Sequence, residues 1–311
     1  MSPRRSAFID IGTNAILCLI ADIRDTGRFR VLDDLADIAR LGQGVDHTGH
    51  ISPEGEQRAL EVLEYYRQHC QNLGVEEIVA VGTSALRDAA NSSAVRARFR
   101  AKLGFDIRVI SGSEEAAYSF LAVQRGLTFG DQELMVIDIG GGSTEFIRGN
   151  QLGVSRAVSI DIGSVRLTER FLHSDPVKTE EVAPMIAAID QELARLRARG
   201  IHADTKLTLV GIAGTFTTLA AVYKHLKRYS HGDVHGSTLA LNEVRRQCEL
   251  FQKLTIKERK DIVGMDPKRA DVIFAGACLI ERIMKDFHAD RVIVSDQGVR
   301  YGLLHESAEQ R

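Results

Sequence analysis

MVIDIGGGSTEFIRG, residues 135–149, is the stretch on which the reading of this chain turns. An apolar run from Leu134 to Ile137 has the character of a buried strand. Asp138 ends it, Gly140, Gly141 and Gly142 follow, and Ser143, Thr144 and Glu145 lead into Phe146 and Ile147. Strand, glycine turn, strand can aim several backbone N–H groups at one point, because glycine accepts φ > 0 and lets the backbone approach an anion closely. Asp138 repels phosphate unless a cation stands between them. Hard Mg²⁺, held by one or two carboxylates and by phosphate oxygens, reconciles the two. The stretch therefore reads as a phosphate–metal cradle. An ordinary glycine-rich β-hairpin, its aspartate bonded to its own backbone, would be written with the same letters.

Repetition separates the two readings. AFIDIGTNAILCLIAD, residues 7–22, has the same order: an apolar strand ending at Asp10, a turn through Gly12, Thr13 and Asn14, then a second strand from Ile16 to Ala21. Asp10 and Asp138 are 128 residues apart. The same spacing, within a residue or so, sets SPEGEQRALEVLEYYRQH (52–69) against TEEVAPMIAAIDQELARL (179–196), and EEIVAVGTSALRDAA (76–90) against TKLTLVGIAGTFTTLAA (205–221). A constant offset over three elements indicates an internal duplication. Two similar α/β halves are expected, 1–125 and 126–311, with residues 299–311 free to pack back on the first half. Their turn loops would lie on opposite walls of an interdomain cleft.

Composition narrows the function classes. A length of 311 residues suits two domains. A formal net charge of −2 gives no overall attraction to nucleic acid or membranes. No run of 18 apolar residues exists, so no membrane span is expected. The N-terminal apolar segment is interrupted by Asp10, Thr13 and Asn14 and cannot act as a signal-peptide core. Cys18, Cys70, Cys248 and Cys278 lack metal-ligand spacing and sit in apolar surroundings, which suits buried thiols in a reducing, cytoplasmic setting.

Helices are legible from their stripes. Ala59, Val62, Leu63, Tyr66, Cys70 and Leu73 recur at helical spacing after the cap Ser52 and before Gly74. Val182, Ile186, Ile189, Leu193 and Leu196 do the same, with Thr179 as the expected cap. Runs at 78–81, 107–110, 207–211 and 292–295 read as strands of a partly parallel sheet, and helices are expected near 242–254 and 268–287.

Four further places carry candidate chemistry. In GTSALRDAAN (82–91), Thr83 or Ser84 can cap a helix, and Arg87 is either solvated or a bidentate phosphate ligand. In RVISGSEEAAYSFLAV (108–123), Glu114 and Glu115 stand where carboxylates offset the positive end of a helix. One of them could instead serve as a general base for water. Gly214 and Thr215 of GIAGT close a turn before a helix, a further backbone site for an anion. His225, His231 and His235 fall in a polar loop, and Gly232 between the last two makes helical metal-ligand spacing doubtful.

In order, DIGTN, GTSALRDA, ISGSEEA, DIGGGSTE, GIAGT and SDQGVRYG resemble the exopolyphosphatase/guanosine pentaphosphate phosphatase (Ppx/GppA) family, over nearly the whole chain. The resemblance implies a duplicated actin/Hsp70/sugar-kinase-like (ribonuclease H-like) fold, in a short two-domain form. It implies that Glu115 is the water-activating base and that Arg87 contacts phosphate. It implies that Asp138 and Glu145 lie near a divalent metal, Mg²⁺ or Mn²⁺, with Asp10 as the matching carboxylate of the first half. Gly140, Gly141, Gly142 and Ser143 would hold terminal phosphates, with Gly12, Thr13 and Asn14 as the facing loop. Two departures stand out. Ala15 replaces the family's usual serine, and SDQGVRYG departs from the usual closing motif, which leaves Asp296 without an assigned role. The implied activity is metal-dependent hydrolysis of the terminal phosphoanhydride of inorganic polyphosphate, in the cytoplasm; a homodimer is compatible with a fold of this size. Guanosine pentaphosphate offers the same terminal group. An ATP-dependent small-molecule kinase and a non-catalytic alarmone-binding protein are the readings from other classes.

Overall fold

A computed structural model describes residues 3–203 and 207–310. Thr205 and Lys206, which open the second copy of the GTSAL-like segment, lie outside the described residues. Packing divides the chain into two units, Met1–Ala122 with Val299–Arg311, and Val123–Gly298. Among the described residues no helix is long and apolar enough to cross a membrane.

The first unit carries β1 (Arg4–Ile11), β2 (Ala15–Ile23), β3 (Phe29–Ile38), α1 (Val45–Thr48), α2 (Pro53–Asn72), β4 (Glu77–Gly82), α3 (Ser84–Asp88), α4 (Ser92–Leu103), β5 (Ile107–Val109) and α5 (Gly112–Gly126). Its sheet runs β3-β2-β1-β4-β5, antiparallel through β1, β2 and β3 and parallel through β1, β4 and β5. The second unit carries β6 (Glu133–Ile139), β7 (Thr144–Asn150), β8 (Gly153–Ile160), α6 (Ser164–Phe171), α7 (Thr179–Ala198), β9 (Leu207–Ile212), α8 (Ala213–Tyr223), α9 (His231–Val234), β10 (Ser237–Ala240), α10 (Leu241–Lys253), α11 (Ile256–Lys260), a 3₁₀ turn at Pro267–Arg269, α12 (Ile273–Asp286) and β11 (Arg291–Val294). Its sheet reads β8-β7-β6-β9-β11, with β10 added at the edge. Both sheets share one strand order and one pattern of directions, so the duplication in sequence is a duplication of the actin/Hsp70/sugar-kinase-like, ribonuclease H-like α/β domain.

Several local expectations are revised. The second long helix is capped by Lys178, and Thr179 is its first helical residue; the Ser174 hydroxyl accepts the Lys178 amide instead. Thr83 precedes α3 without a side-chain capping bond, and Ser84 bonds to Asp88 within the helix. The helix expected at 268–287 begins only at Ile273, because Pro267 fixes a separate 3₁₀ turn ahead of it. Three cysteines are buried as expected, while Cys248 on α10 is half-buried.

The last helix, α13 (Val299–Glu309), packs on the first unit. Val299, Leu303, Leu304 and Ala308 join Phe8, Leu19 and Val81 in one apolar cluster. Arg300, almost wholly buried, donates to both carboxylate oxygens of Asp34 on β3 at 2.7 and 3.0 Å, and the Tyr301 hydroxyl donates to the same carboxylate at 2.9 Å. Removing one partner leaves the other charge buried without compensation. Asp34→Ala is therefore expected to cost about 3–5 kcal/mol in denaturant unfolding. The paired apolar replacement Asp34→Leu with Arg300→Met should recover most of that loss, since replacing a whole buried pair is often close to neutral.

Candidate active site

The two glycine turns are built alike. β1 and β2 close at the pair Ile11–Ile16, and the Gly12 amide donates to the Ala15 carbonyl at 3.0 Å. β6 and β7 close at Ile139–Thr144, and the Gly140 amide donates to the Ser143 carbonyl at 3.0 Å. In the first turn the carbonyls of Thr13 and Asn14 accept from the amides of Gly42 and Arg40 at 2.9 and 2.8 Å. In the second, the Gly140 carbonyl accepts from Ser164, and the Gly141 carbonyl from Val165 and Arg166, each at 3.0 Å. The first amides of α6 are thus spent on the turn. A trans peptide points its carbonyl and the following N–H in opposite directions. Tying these carbonyls back therefore turns the amides of Asn14, Gly141 and Gly142 outward. Among the described residues the amides of Thr13, Asn14, Gly141, Gly142 and Ser143 donate to no protein acceptor. Each turn is a set of backbone donors suited to an anion. Asn14, itself buried, adds a side-chain Nδ2 with no protein partner.

Carboxylates stand beside each turn. Asp138 and Glu145 are directly opposite each other on β6 and β7, so both project from one face of the sheet, and both are buried. The Ser159 hydroxyl donates to Glu145 at 2.8 Å. Asp10 holds the matching position on β1, half-buried. Among the described residues no three His, Cys, Asp or Glu side chains gather into a ready-made metal cage. Two carboxylates with hydroxyl and backbone surroundings form an all-oxygen donor set. That set fits Mg²⁺ or Mn²⁺ and suits an ion that keeps water and phosphate oxygens as its remaining ligands.

The pair Glu114–Glu115 divides its labour. Glu114 is half-buried and accepts from the Ser111 amide and hydroxyl, both at 2.8 Å, while the Ser111 hydroxyl accepts the Glu114 amide. Bonding to the Ser111 amide and hydroxyl, together with Arg108, holds the Glu114 carboxyl below the usual carboxylate range. Glu114 therefore serves the helix end. Glu115 points inward and is 7% exposed, and Arg87 donates to it at 2.9 Å. Burial pushes its carboxyl above the ordinary range, and the Arg87 guanidinium opposes that rise without cancelling it. A buried, ionisable carboxylate that no capping role accounts for is the strongest candidate base in the chain.

At the β9–α8 turn, Ala213 takes the left-handed conformation with φ 67°, unusual for a residue with a side chain. A Cβ on Gly214 would lie 2.1 Å from the Arg269 guanidinium, so glycine is needed for that side chain to lie across the turn. Thr215 is buried, and the hydroxyl of Thr218 donates to the Gly214 carbonyl at 2.6 Å. Burial lowers the Arg269 pKa from its ordinary value, and Asp266 is its carboxylate neighbour at 3.9 Å. Sequence reasoning missed Arg269: it follows a lysine in the short 3₁₀ turn Pro267–Arg269, and only the fold brings it to Gly214. The three histidines do not gather. His231 bonds to Asp296. His235 accepts the Asp296 amide at Nδ1 and bonds the Gly126 carbonyl through Nε2, which makes it a structural tie.

Comparison with known proteins places the chain. A model of the Ppx/GppA phosphatase family matches residues 19–311. This chain belongs to that family. Among its Ppx/GppA relatives, Exopolyphosphatase 2 of Mycobacterium tuberculosis is 35% identical over 97% of this chain and 98% of its own length. The bifunctional 3-dehydroquinate synthase/phosphatase of Fusobacterium nucleatum is 33% identical over 98% of this chain; the chain spans 47% of that longer protein. The crystal structure of an exopolyphosphatase from Cytophaga hutchinsonii superimposes with a TM-score of 0.90, at 32% identity, over 99% of this chain and 98% of the other.

The Ppx/GppA glycine turn depends here on Gly163, the residue before α6. A Cβ there would sit 2.5 Å from the Gly141 carbonyl oxygen and 2.7 Å from that of Gly140. Gly163→Ala must push the turn away from α6 and is expected to cost about 1–3 kcal/mol in denaturant unfolding. Gly298→Ala is the control: its new Cβ would meet only Ile212 at 3.9 Å, and it should cost less than about 1 kcal/mol.

Proposed function

We propose that this protein is an exopolyphosphatase: it hydrolyses the terminal phosphoanhydride of inorganic polyphosphate and releases orthophosphate. The observation that carries the reading is Glu115, a buried carboxylate beside an arginine whose neighbour Glu114 already satisfies the helix end. The full-length similarity to a protein named exopolyphosphatase supports the choice of substrate class.

The residues divide the work as phosphoryl transfer to water requires, by positioning and charge stabilisation with no covalent nucleophile. The outward amides of Gly141 and Gly142, with the unpaired amide of Ser143, and in the first unit those of Asn14 and Thr13, receive phosphate oxygens. Gly214 and Thr215, expected to close a turn, stand instead in the first turn of α8, a helix start suited to phosphate. Glu115 accepts the proton of the attacking water. Its raised pKa makes it a stronger base than an exposed glutamate, and it must be ionised to act, so activity falls as pH drops through that pKa. Mg²⁺ or Mn²⁺ at the Asp138–Glu145 pair, with Asp10 as the matching carboxylate of the first unit, would neutralise phosphate oxygens.

Guanosine pentaphosphate presents the same terminal phosphoanhydride, and the family to which the chain belongs is named for both activities. Orthophosphate release from long-chain polyphosphate and from guanosine pentaphosphate, at equal concentrations of chain ends, decides between them; faster release from polyphosphate is expected. Glu115→Gln should keep the fold and lower turnover by about 10²–10⁴-fold. Near-normal turnover in that variant would remove Glu115 from the mechanism. Chelation should abolish release, and added Mg²⁺ or Mn²⁺ should restore it; activity that survives chelation would refute the metal.

A further inference from the structure

We propose that Arg87 is a positioning residue for Glu115, clamping its carboxylate between α3 and the end of β5, and that contact with substrate phosphate is not its main task. The proposal rests on Glu115 as the base. One guanidinium nitrogen, Nη1, donates both to the Glu115 carboxylate at 2.9 Å and to the Ile110 carbonyl at 3.2 Å. Ile110 itself is fixed, since its amide donates to the Gly82 carbonyl at 3.0 Å. β4 and β5 are parallel neighbours, paired at Gly82 and Val109, and α3 and α5 leave their carboxyl ends. The arginine and the base are thus carried on adjacent strand ends, with the arginine bonded to the backbone between them. α3 is one short turn, held by the Arg87 amide donating to the Thr83 carbonyl at 2.9 Å. A side chain on so short a helix keeps one direction only if its tip is anchored, and here Ile110 and Glu115 are the anchors.

Electrostatics agrees with this geometry. Among the described residues the charged groups acting on the Glu115 carboxyl are Arg87 and Asp88, both on α3. Asp88 is exposed and raises the carboxyl pKa; Arg87 lowers it. Glu114, next in the chain, turns to Arg108. Arg87 is therefore the one cation in this set that keeps a buried base ionised and aimed.

The test separates positioning from phosphate binding. Arg87→Gln removes the cation while retaining hydrogen-bonding capacity, and Arg87→Lys retains the charge. With Arg87→Gln the acid limb of the kcat profile should move up by about one to three pH units. kcat at neutral pH should fall while KM for polyphosphate ends changes by less than about threefold, as expected when ground-state binding is untouched. Arg87→Lys should bring the limb back toward that of the parent protein. An unmoved limb with KM raised tenfold or more would make Arg87 a phosphate ligand and overturn the proposal. Titration of the Glu115 carboxyl by side-chain NMR, without substrate, tests the same clamp independently of turnover. A higher midpoint in Arg87→Gln, or a smaller rise in Arg87→Lys should the glutamine variant fail to fold, supports the clamp; an unchanged midpoint in the folded variant contradicts it. Glu115→Gln, assayed alongside, shows separately whether the reading of Glu115 as base has failed.

Discussion

A trans peptide cannot show its carbonyl and its next amide to the same side, and the site in each unit depends on that constraint. The Gly140 and Gly141 carbonyls are held by the first amides of α6, and the Thr13 and Asn14 carbonyls by Gly42 and Arg40. Once those oxygens are fixed, the outward amides follow with no further design. A helix start ordinarily offers its own unpaired N–H groups to an anion. α6 instead uses them to shape a neighbouring turn, which then offers a tighter set. The absence of a Cβ at Gly163 lets the helix start approach closely enough to do so.

The carboxylates follow from strand register. Because Asp138 pairs with Glu145 across β6 and β7, two negative side chains share a face next to a turn of donors. Like charges directly opposite in a sheet repel. A pair kept in that position, buried and hydrogen-bonded by Ser159, is the arrangement a hard cation would relieve. Glu115 is balanced differently, by burial on one side and a single guanidinium on the other. The two halves of the duplication have thus kept one backbone device while diverging in the side chains around it.

Much of this was legible from residue patterns because it rests on periodicity. The offset between Asp10 and Asp138 foretold two sheets of one topology, and the stripe through Leu63, Tyr66 and Cys70 foretold the buried face of α2. Capping is less legible. Thr179 and Thr83 have the right side chains, yet backbone conformation and tertiary contacts decide whether a hydroxyl reaches an amide. The site was legible where backbone makes it and obscure where long side chains do. Nothing in PKR at 267–269 tells that Arg269 lies across Gly214, and nothing in SALRD tells that Arg87 reaches Glu115. Nor does any rule of composition place a left-handed conformation on Ala213; the fold imposes it at the turn into α8.

The most direct test of this account is a backbone NMR titration of the protein with orthophosphate in the presence of Mg²⁺, following amide shifts. The account predicts saturable shifts of the Gly141, Gly142 and Ser143 amides in the second unit and of the Thr13 and Asn14 amides in the first. Saturable shifts elsewhere, with these five unmoved, would show that phosphate binds at another place and would contradict it.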